Sequence, residues 1–279
     1  MTRHDEELPR VGSGRRTLLR KLASRKRSRE GRLIVEGPRA VKEALAAHVA
    51  VEFAVVDRPY RAGGDGASLG RAMEERGIQV LTADSAEFAG VASTEEPQGV
   101  LLVCREPEFG LEDLSPDPGG GVLVLDAVQD PGNVGTLIRT AWAAGAAGVV
   151  VLDGTADPWG AKAVRASAGT CLRIPVVRSK VGDLLEWSRA QGSSLLVSEG
   201  EAGLPAEVGE EPWLLVVGNE GAGVRHEIRE AARGRVGLPM VPEADSLNAA
   251  VAGSILLYLL LHRDALAGGS AEVEGPGDP

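Results

Sequence analysis

Leu238-Pro239-Met240-Val241-Pro242-Glu243-Ala244-Asp245-Ser246-Leu247-Asn248 decides how the rest of this chain is read. A strand end passes into a loop with two prolines, and an uncharged apolar helix follows. Pro239 and Pro242 each remove an N–H donor and fix φ, so the segment cannot simply extend the strand. Ser246 is a good helix N-cap, since its hydroxyl can accept a bond from an unpaired backbone N–H. The helix is therefore predicted to start at Ser246, with Asn248 in its first turn. A stiff loop ending at the positive end of a helix can hold a ligand by its backbone and orient a polar reactant. Alone, it is an ordinary strand-to-helix turn; two stretches upstream change that.

The first is Asp130-Pro131-Gly132-Asn133-Val134-Gly135-Thr136-Leu137-Ile138-Arg139, between a buried strand predicted over Val122–Asp126 and a helix over Val134–Ala144. Asn133 is expected to cap that helix. Arg139 lies nearly two turns in, and its neighbours Leu137, Ile138, Ala141 and Ala143 predict a largely buried helix. A guanidinium beside such a surface needs a partner, an oxyanion or a structural carboxylate. The second is Leu214-Leu215-Val216-Val217-Gly218-Asn219-Glu220-Gly221-Ala222-Gly223, a buried strand running into a Gly-rich turn. Glycines let a ligand approach the backbone closely. The order Gly-x-x-Gly-x-Gly is not a dinucleotide fingerprint, and the Gly-Lys-Ser/Thr ending of a phosphate-binding loop is missing. Glu220 inside the turn would repel phosphates, which favours a neutral or cationic ligand.

Composition sets the frame. At 279 residues the chain can form two domains, and 43% apolar content with only 3% aromatics makes their cores aliphatic. Cys104 and Cys171 lack metal-ligand spacing and read as small buried hydrophobes in a reducing compartment, so no metal site is expected. The N-terminus lacks the apolar core of a signal peptide, and the run Ser246–Leu261 is short for a bilayer span, which together predict a cytoplasmic protein with no membrane partner. The net charge of −10 hides a polarised distribution: between Arg10 and Arg39 stand eleven Lys and Arg against Glu30 and Glu36 alone. Such a basic arm on an acidic body can bind RNA phosphates, and the predominance of Arg suits bidentate contacts. Arg25, Lys26, Arg27, Arg29 and Arg39 are its candidate RNA-binding residues; a solvated tail is the plainer reading.

Taken in order, residues 1–30 are expected to form the arm, helical from about residue 10. Residues 31–105 alternate short strands and helices as a small α/β domain, including a helix over Ser68–Arg76. Pro, Gly and acids mark 106–121 as a linker. Residues 122–265 alternate strands and helices as a mostly parallel sheet covered on both faces, a fold whose ligands sit at strand C-termini. Residues 266–279 read as a disordered tail. The closing helix carries no charge from Leu247 to Leu261, so a second apolar face beyond the one on its own sheet predicts a homodimer, with Leu257 or Leu260 on the outer face.

Together the three stretches resemble the SpoU/TrmH family of RNA ribose 2′-O-methyltransferases, within the SPOUT superfamily. The likeness rests on Asn133…Arg139, on Gly218-Asn219-Glu220-Gly221 and on Pro239-Met240…Ser246-Leu247-Asn248. Lys162-Ala163-Val164-Arg165-Ala166-Ser167-Ala168-Gly169 is similar to the family's intermediate block, which adds Arg165 to the RNA-binding candidates. Val35-Glu36-Gly37-Pro38-Arg39 is similar to the substrate-binding domain of many members. The resemblance implies a C-terminal domain with a deep trefoil knot, S-adenosylmethionine as cofactor, rRNA or tRNA as substrate, and a homodimer. Carried over, Gly218, Gly221, Leu238, Met240 and Leu247 would hold the cofactor, and Arg139, Asn133, Glu220, Ser246 and Asn248 would line the reacting centre. Arg139 is either the group that activates the hydroxyl or a clamp for phosphate or alkoxide. Pro242 departs from the pattern, standing where the family usually has Gly. The alternatives are a non-catalytic RNA-binding protein of the same fold and an oxidoreductase using the Gly218–Gly223 turn.

Overall fold

Val122, Leu123, Val124 and Leu125 are wholly buried because their strand lies inside a sheet with neighbours on either side. A computed structural model of the protein describes residues 8–24, 31–200, 203, 209–241 and 246–268. Arg25, Lys26, Arg27, Arg29 and Pro242, singled out above, lie outside them.

The chain divides into two compact units: Met1–Phe109 with Gln129–Arg139 and Ala156–Val176, and Gly110–Val128 with Thr140–Thr155 and Val177–Pro279. In chain order the elements begin with α1 (Ser13–Ala23), β1 (Arg32–Glu36), α2 (Pro38–Ala46), β2 (Val51–Asp57) and α3 (Arg58–Ala62). Then come α4 (Gly64–Glu75), β3 (Val80–Ala83), α5 (Ser85–Ala89), β4 (Val100–Arg105), β5 (Gly121–Leu125), α6 (Pro131–Ala144), β6 (Gly148–Leu152) and α7 (Ala161–Ala166). The chain continues through β7 (Val176–Ser179), α8 (Val181–Ala190), β8 (Ser194–Ser198) and β9 (Trp213–Val217). It closes with α9 (His226–Ala231), β10 (Gly234–Val236), α10 (Ala249–Leu261) and α11 (Arg263–Gly268).

The first unit is built on a four-stranded mixed sheet in the order β1-β4-β2-β3. Its core gathers Leu19 and Leu22 of α1 with Ile34, Phe53, Val55, Leu81, Phe88 and Leu101. The described part of the basic segment is thus folded onto this unit, and three of its arginines are engaged there. Arg10 pairs with Asp84 and Glu87 at 2.9 Å, Arg16 with Glu87 at 3.1 Å, and the Arg15 guanidinium lies 4.9 Å from the Phe53 ring centroid. Residues 9–11 also join the sheet: Thr82 N–H donates to Pro9 O, and Val11 N–H to Thr82 O. The free thiols of Cys104 and Cys171 are buried as expected, and burial pushes both up to about 12.

The second unit carries a six-stranded sheet in the order β10-β8-β9-β5-β6-β7. The pairs β10–β8, β8–β9, β9–β5 and β5–β6 are all parallel. Its near-continuous Val and Leu strands fit the two-sided burial typical of parallel sheets. The parallel-sheet domain and the smaller α/β body preceding it are as the sequence predicts.

Three readings are corrected. The closing helix starts at Ala249 with Asn248 as its N-cap, at φ −54° and ψ 136°, so Ser246 lies two residues outside. Asn248 Oδ1 accepts from Ala250 N at 2.9 Å and Val251 N at 3.2 Å. Its outer face is also different: Leu257 and Leu260 are both buried, whereas Val251, Ile255 and Tyr258 are exposed. Finally, Arg58–Ala62 form α3, which no sequence pattern signals, and α4 starts at Gly64, well before the expected Ser68. A side chain at Gly66 would sit 2.0 Å from Tyr60 O, so glycine there serves helix packing rather than a loop.

Candidate active site

The C-terminal edge of the parallel sheet is assembled by residues far apart in the chain. Past β9, Gly218 turns so tightly that an added Cβ would lie 2.5 Å from Gly223 C and Val224 N, which excludes any side chain. Asn219 organises the rest of the turn. Its Oδ1 accepts from Gly221 N at 2.9 Å and Ala222 N at 2.8 Å, its Nδ2 donates to Ala127 O at 2.9 Å, and its backbone pairs with Gly223. Glu220 is thereby presented on the exposed tip of a turn with little internal freedom. The neighbouring loop after β5 carries Asp126, a wholly buried carboxylate that pairs with Arg225 just past the turn. Neither Asn219 as organiser nor this ion pair stands out in the sequence, since their partners lie 92 and 99 residues away.

In the same unit, β10 leads into a segment whose apolar groups are not packed away. Leu238 and Met240 are half-buried, Val241 is 65% exposed and Leu247 43% exposed, and Pro239 offers no donor. Ser246 and Asn248 are exposed at the start of α10. A parallel sheet whose strands lead into an incompletely packed apolar segment and a carboxylate-bearing turn suits a planar heterocycle attached to a cation. It does not suit a pyrophosphate, which Glu220 would repel.

Asn133 and Arg139 belong to the first unit, on α6. Asp130, not Asn133, caps this helix: its Oδ1 accepts from Gly132 N at 2.6 Å and Asn133 N at 3.1 Å, and Asn133 sits within the first turn. Lys162 Nζ lies 2.8 Å from the other Asp130 oxygen and holds this carboxyl below its usual range, with the two backbone N–H bonds adding to the effect. Gly135 lets α6 and α7 touch, since a Cβ there would come within 2.3 Å of Ala163 O. The expected burial of Arg139 is not found. One face of α6 is buried through Val134, Leu137, Ile138 and Ala141, but Arg139 is exposed and makes no ion pair among the described residues. Arg165 is exposed on α7 and donates to Ser93 Oγ at 3.2 Å, while Arg39 is exposed on α2. A cavity of about 560 Å³ lies in this unit, with Leu22, Leu33 and Ile34 in its wall and Lys162, Arg165, Asp130 and Asp157 among its polar groups.

Among the described residues no group of three or more His, Cys, Asp or Glu could hold a metal ion, and no helix is long and apolar enough to cross a membrane.

Comparison with known proteins agrees over both units. Residues 121–258 match the SpoU rRNA Methylase family, and residues 17–102 match an MRM3-like substrate binding domain. The chain is 37% identical over 244 residues to the 23S rRNA (guanosine(2553)-2′-O)-methyltransferase RlmP of Bacillus subtilis, covering 86% of this chain and 93% of the relative. The crystal structure of an AdoMet-bound rRNA methyltransferase from Sinorhizobium meliloti superposes with a TM-score of 0.81 at 29% identity, over 93% of this chain and 98% of that one. The SpoU methyltransferase AviRb from Streptomyces viridochromogenes also gives 0.81, at 26% identity, over 92% of this chain and 99% of that one.

Proposed function

The chain belongs to the SpoU rRNA methylase family, and from that premise we propose that it transfers a methyl group from S-adenosylmethionine to a ribose 2′-hydroxyl of rRNA. The observation that carries this reading is the turn after β9, too tight at Gly218 for any side chain and tipped by Glu220, together with the half-exposed apolar segment that follows β10 in the same unit. Gly218, Gly221, Leu238, Met240 and Leu247 would hold the cofactor, by backbone groups and apolar contact. Bound there, S-adenosylmethionine supplies an electrophilic methyl on a sulfonium.

The protein's own task is to position the hydroxyl and ease loss of its proton. A guanidinium has too high a pKa to serve as a base, so Arg139 acts as a clamp for the alkoxide or an adjacent phosphate. Its exposure and lack of an ion pair among the described residues support that role. Ser246, Asn248 and Asn133 orient the hydroxyl. Asn248 Oδ1 already accepts two bonds from its own helix, so what this amide can bring to developing negative charge is donation from Nδ2. Glu220 complements the sulfonium charge.

Residues 31–105 would bind the RNA and 122–265 catalyse, the latter around a trefoil knot. Arg39 and Arg165 would meet phosphates together with Arg25, Lys26, Arg27 and Arg29. The stripe Val251, Ile255, Tyr258 recurs at helical spacing and supports a homodimer through α10. Light scattering on the wild type reads that assembly directly, and a monomer at micromolar concentration would remove it. The setting is the cytoplasm, where rRNA is met.

The deciding experiment is Arg139→Ala, assayed with labelled S-adenosylmethionine on rRNA transcripts. Methyl transfer should fall by about 100-fold or more, with cofactor affinity by calorimetry changed less than about twofold. Turnover near the wild-type value would remove Arg139 from the mechanism.

A further inference from the structure

We propose that Asp126 and Arg225 are a positioning pair for methyl transfer, holding the turn that presents Glu220 in register with the neighbouring strand ends. The inference rests on the methyl-transfer reading above and adds two residues to it. Asp126 follows β5 with a side chain that is 0% exposed, and its two oxygens take different bonds. Oδ2 accepts the Arg225 backbone N–H at 2.8 Å, and Oδ1 accepts Arg225 Nε at 2.5 Å. The same guanidinium donates through a terminal nitrogen to Asp153 O at 3.0 Å, just past β6. One ion pair therefore joins the ends of three strands that are adjacent in the sheet, β9, β5 and β6.

The placement along the chain matters as much as the bonds. Arg225 stands immediately after the turn, and Asn219 near its beginning donates to Ala127 O at 2.9 Å. Both ends of the turn are thus fastened to consecutive residues, Asp126 and Ala127, with Glu220 and Gly221 between the two fastenings. A buried carboxylate in a low-dielectric site holds its guanidinium strongly, because drifting apart would leave charge without compensation. An ion pair chosen only for stability has no advantage over a well-packed apolar pair. Fixed geometry is what the charged pair adds, and a misplacement of about 1 Å at a reacting centre can cost about 100-fold in rate.

The test uses the full-length protein with an rRNA transcript, measuring kcat, KM for S-adenosylmethionine, RNA Kd and Tm. Arg225→Ala should lower kcat by about tenfold or more while RNA Kd moves less than about twofold. Arg225→Lys keeps a cation and the backbone N–H bond but loses the planar fork that reaches both Asp126 and Asp153 O, and should recover only part of the lost kcat. Ile228→Val, in the buried face of α9, lowers Tm without touching the turn and should keep wild-type kcat. Should Arg225→Ala fail to fold, Asp126→Asn is read in the same way, since it keeps the size and one acceptor oxygen. Wild-type kcat in the folded Ala or Asn variant, or an equal loss in Ile228→Val, overturns the pair while an active wild type leaves the methyl-transfer reading standing. No transfer by the wild type overturns both.

Discussion

Two helices in this molecule carry asparagines of the same family motif set, and their starts are built in opposite ways. At α6 an aspartate two positions before Gly132 takes the exposed N–H groups, proline occupies the first helical position, and Asn133 stands inside the first turn. At α10 the asparagine itself is the cap, and Ser246 stays outside. The difference is one of conformation before it is one of chemistry. A cap must hold an extended backbone while its side chain turns back, so whichever polar residue last keeps ψ near +140° becomes the cap. At α6 Pro131 settles this, because its fixed φ suits the first helical position and assigns the cap to Asp130. Nothing so decisive precedes α10. The lesson is that a motif asparagine can belong to a helix end or merely lie near one, with different consequences when removed.

The comparison can be broken by substitution. Asn248→Ala should have the largest effect, since it removes a cap and, on the proposed function, a donor to the ribose hydroxyl. About 1 kcal/mol of stability and about 100-fold in turnover should be lost, read by denaturant titration and methyl-transfer assay. An unchanged denaturation midpoint would show that the α10 cap carries no weight. Asn133→Ala should separate the two roles, leaving stability within about 0.5 kcal/mol while turnover falls about tenfold; a stability loss as large as that of Asn248→Ala would erase the contrast. Asp130→Ala should do the reverse at α6, costing about 1 kcal/mol with turnover retained within about threefold.

The smallest effect sharpens the contrast by pH. Asp130 has its carboxyl held low, chiefly by Lys162, so the charge adds stability above the ordinary carboxylate range and loses it as pH falls through the lowered value. Asp130→Asn preserves the cap and deletes only the charge. It should cost about 0.3 kcal/mol near neutral pH, the site being about half exposed, and nothing once wild-type Asp130 is protonated well below about pH 4. A difference persisting into acid would assign the effect to something other than charge. Asn248 has no titrating group and no counterpart to this dependence.

Much of the architecture can be read directly from the chain, and where it cannot the reason is distance. β5 and β9 fall within one residue of the stretches that read as buried strands because apolar runs bounded by polar or Gly-rich segments are local signals. The Gly218–Gly223 turn is equally local, visible as glycines after a buried strand. Helices α3 and α4 are not local in this sense. Gly63, Gly64 and Gly66 spell a loop, and it is the close approach of Tyr60 O to Gly66 that shows glycine there serving helix packing. The exposure of Arg139 was hidden because Leu137, Ile138 and Ala141 fill one face without revealing that the other is open. The Asp126–Arg225 pair, spanning 99 positions, leaves no pattern that a window of sequence could register.

The short pairing of residues 9–11 with Thr82 has a consequence for how this protein is handled. β3 is the outer strand of the four-stranded sheet, and its N–H and C=O groups would otherwise offer a template for another chain. The parallel bridge between Arg10 and Thr82 occupies that template, and Pro9, having no N–H, offers no donor there for a further strand. The segment that brings positive charge to the fold therefore also guards it against sticking to itself. A chain shortened beyond Val11 would unmask the β3 edge, and the loss would show as precipitation and self-association rather than as weaker RNA binding.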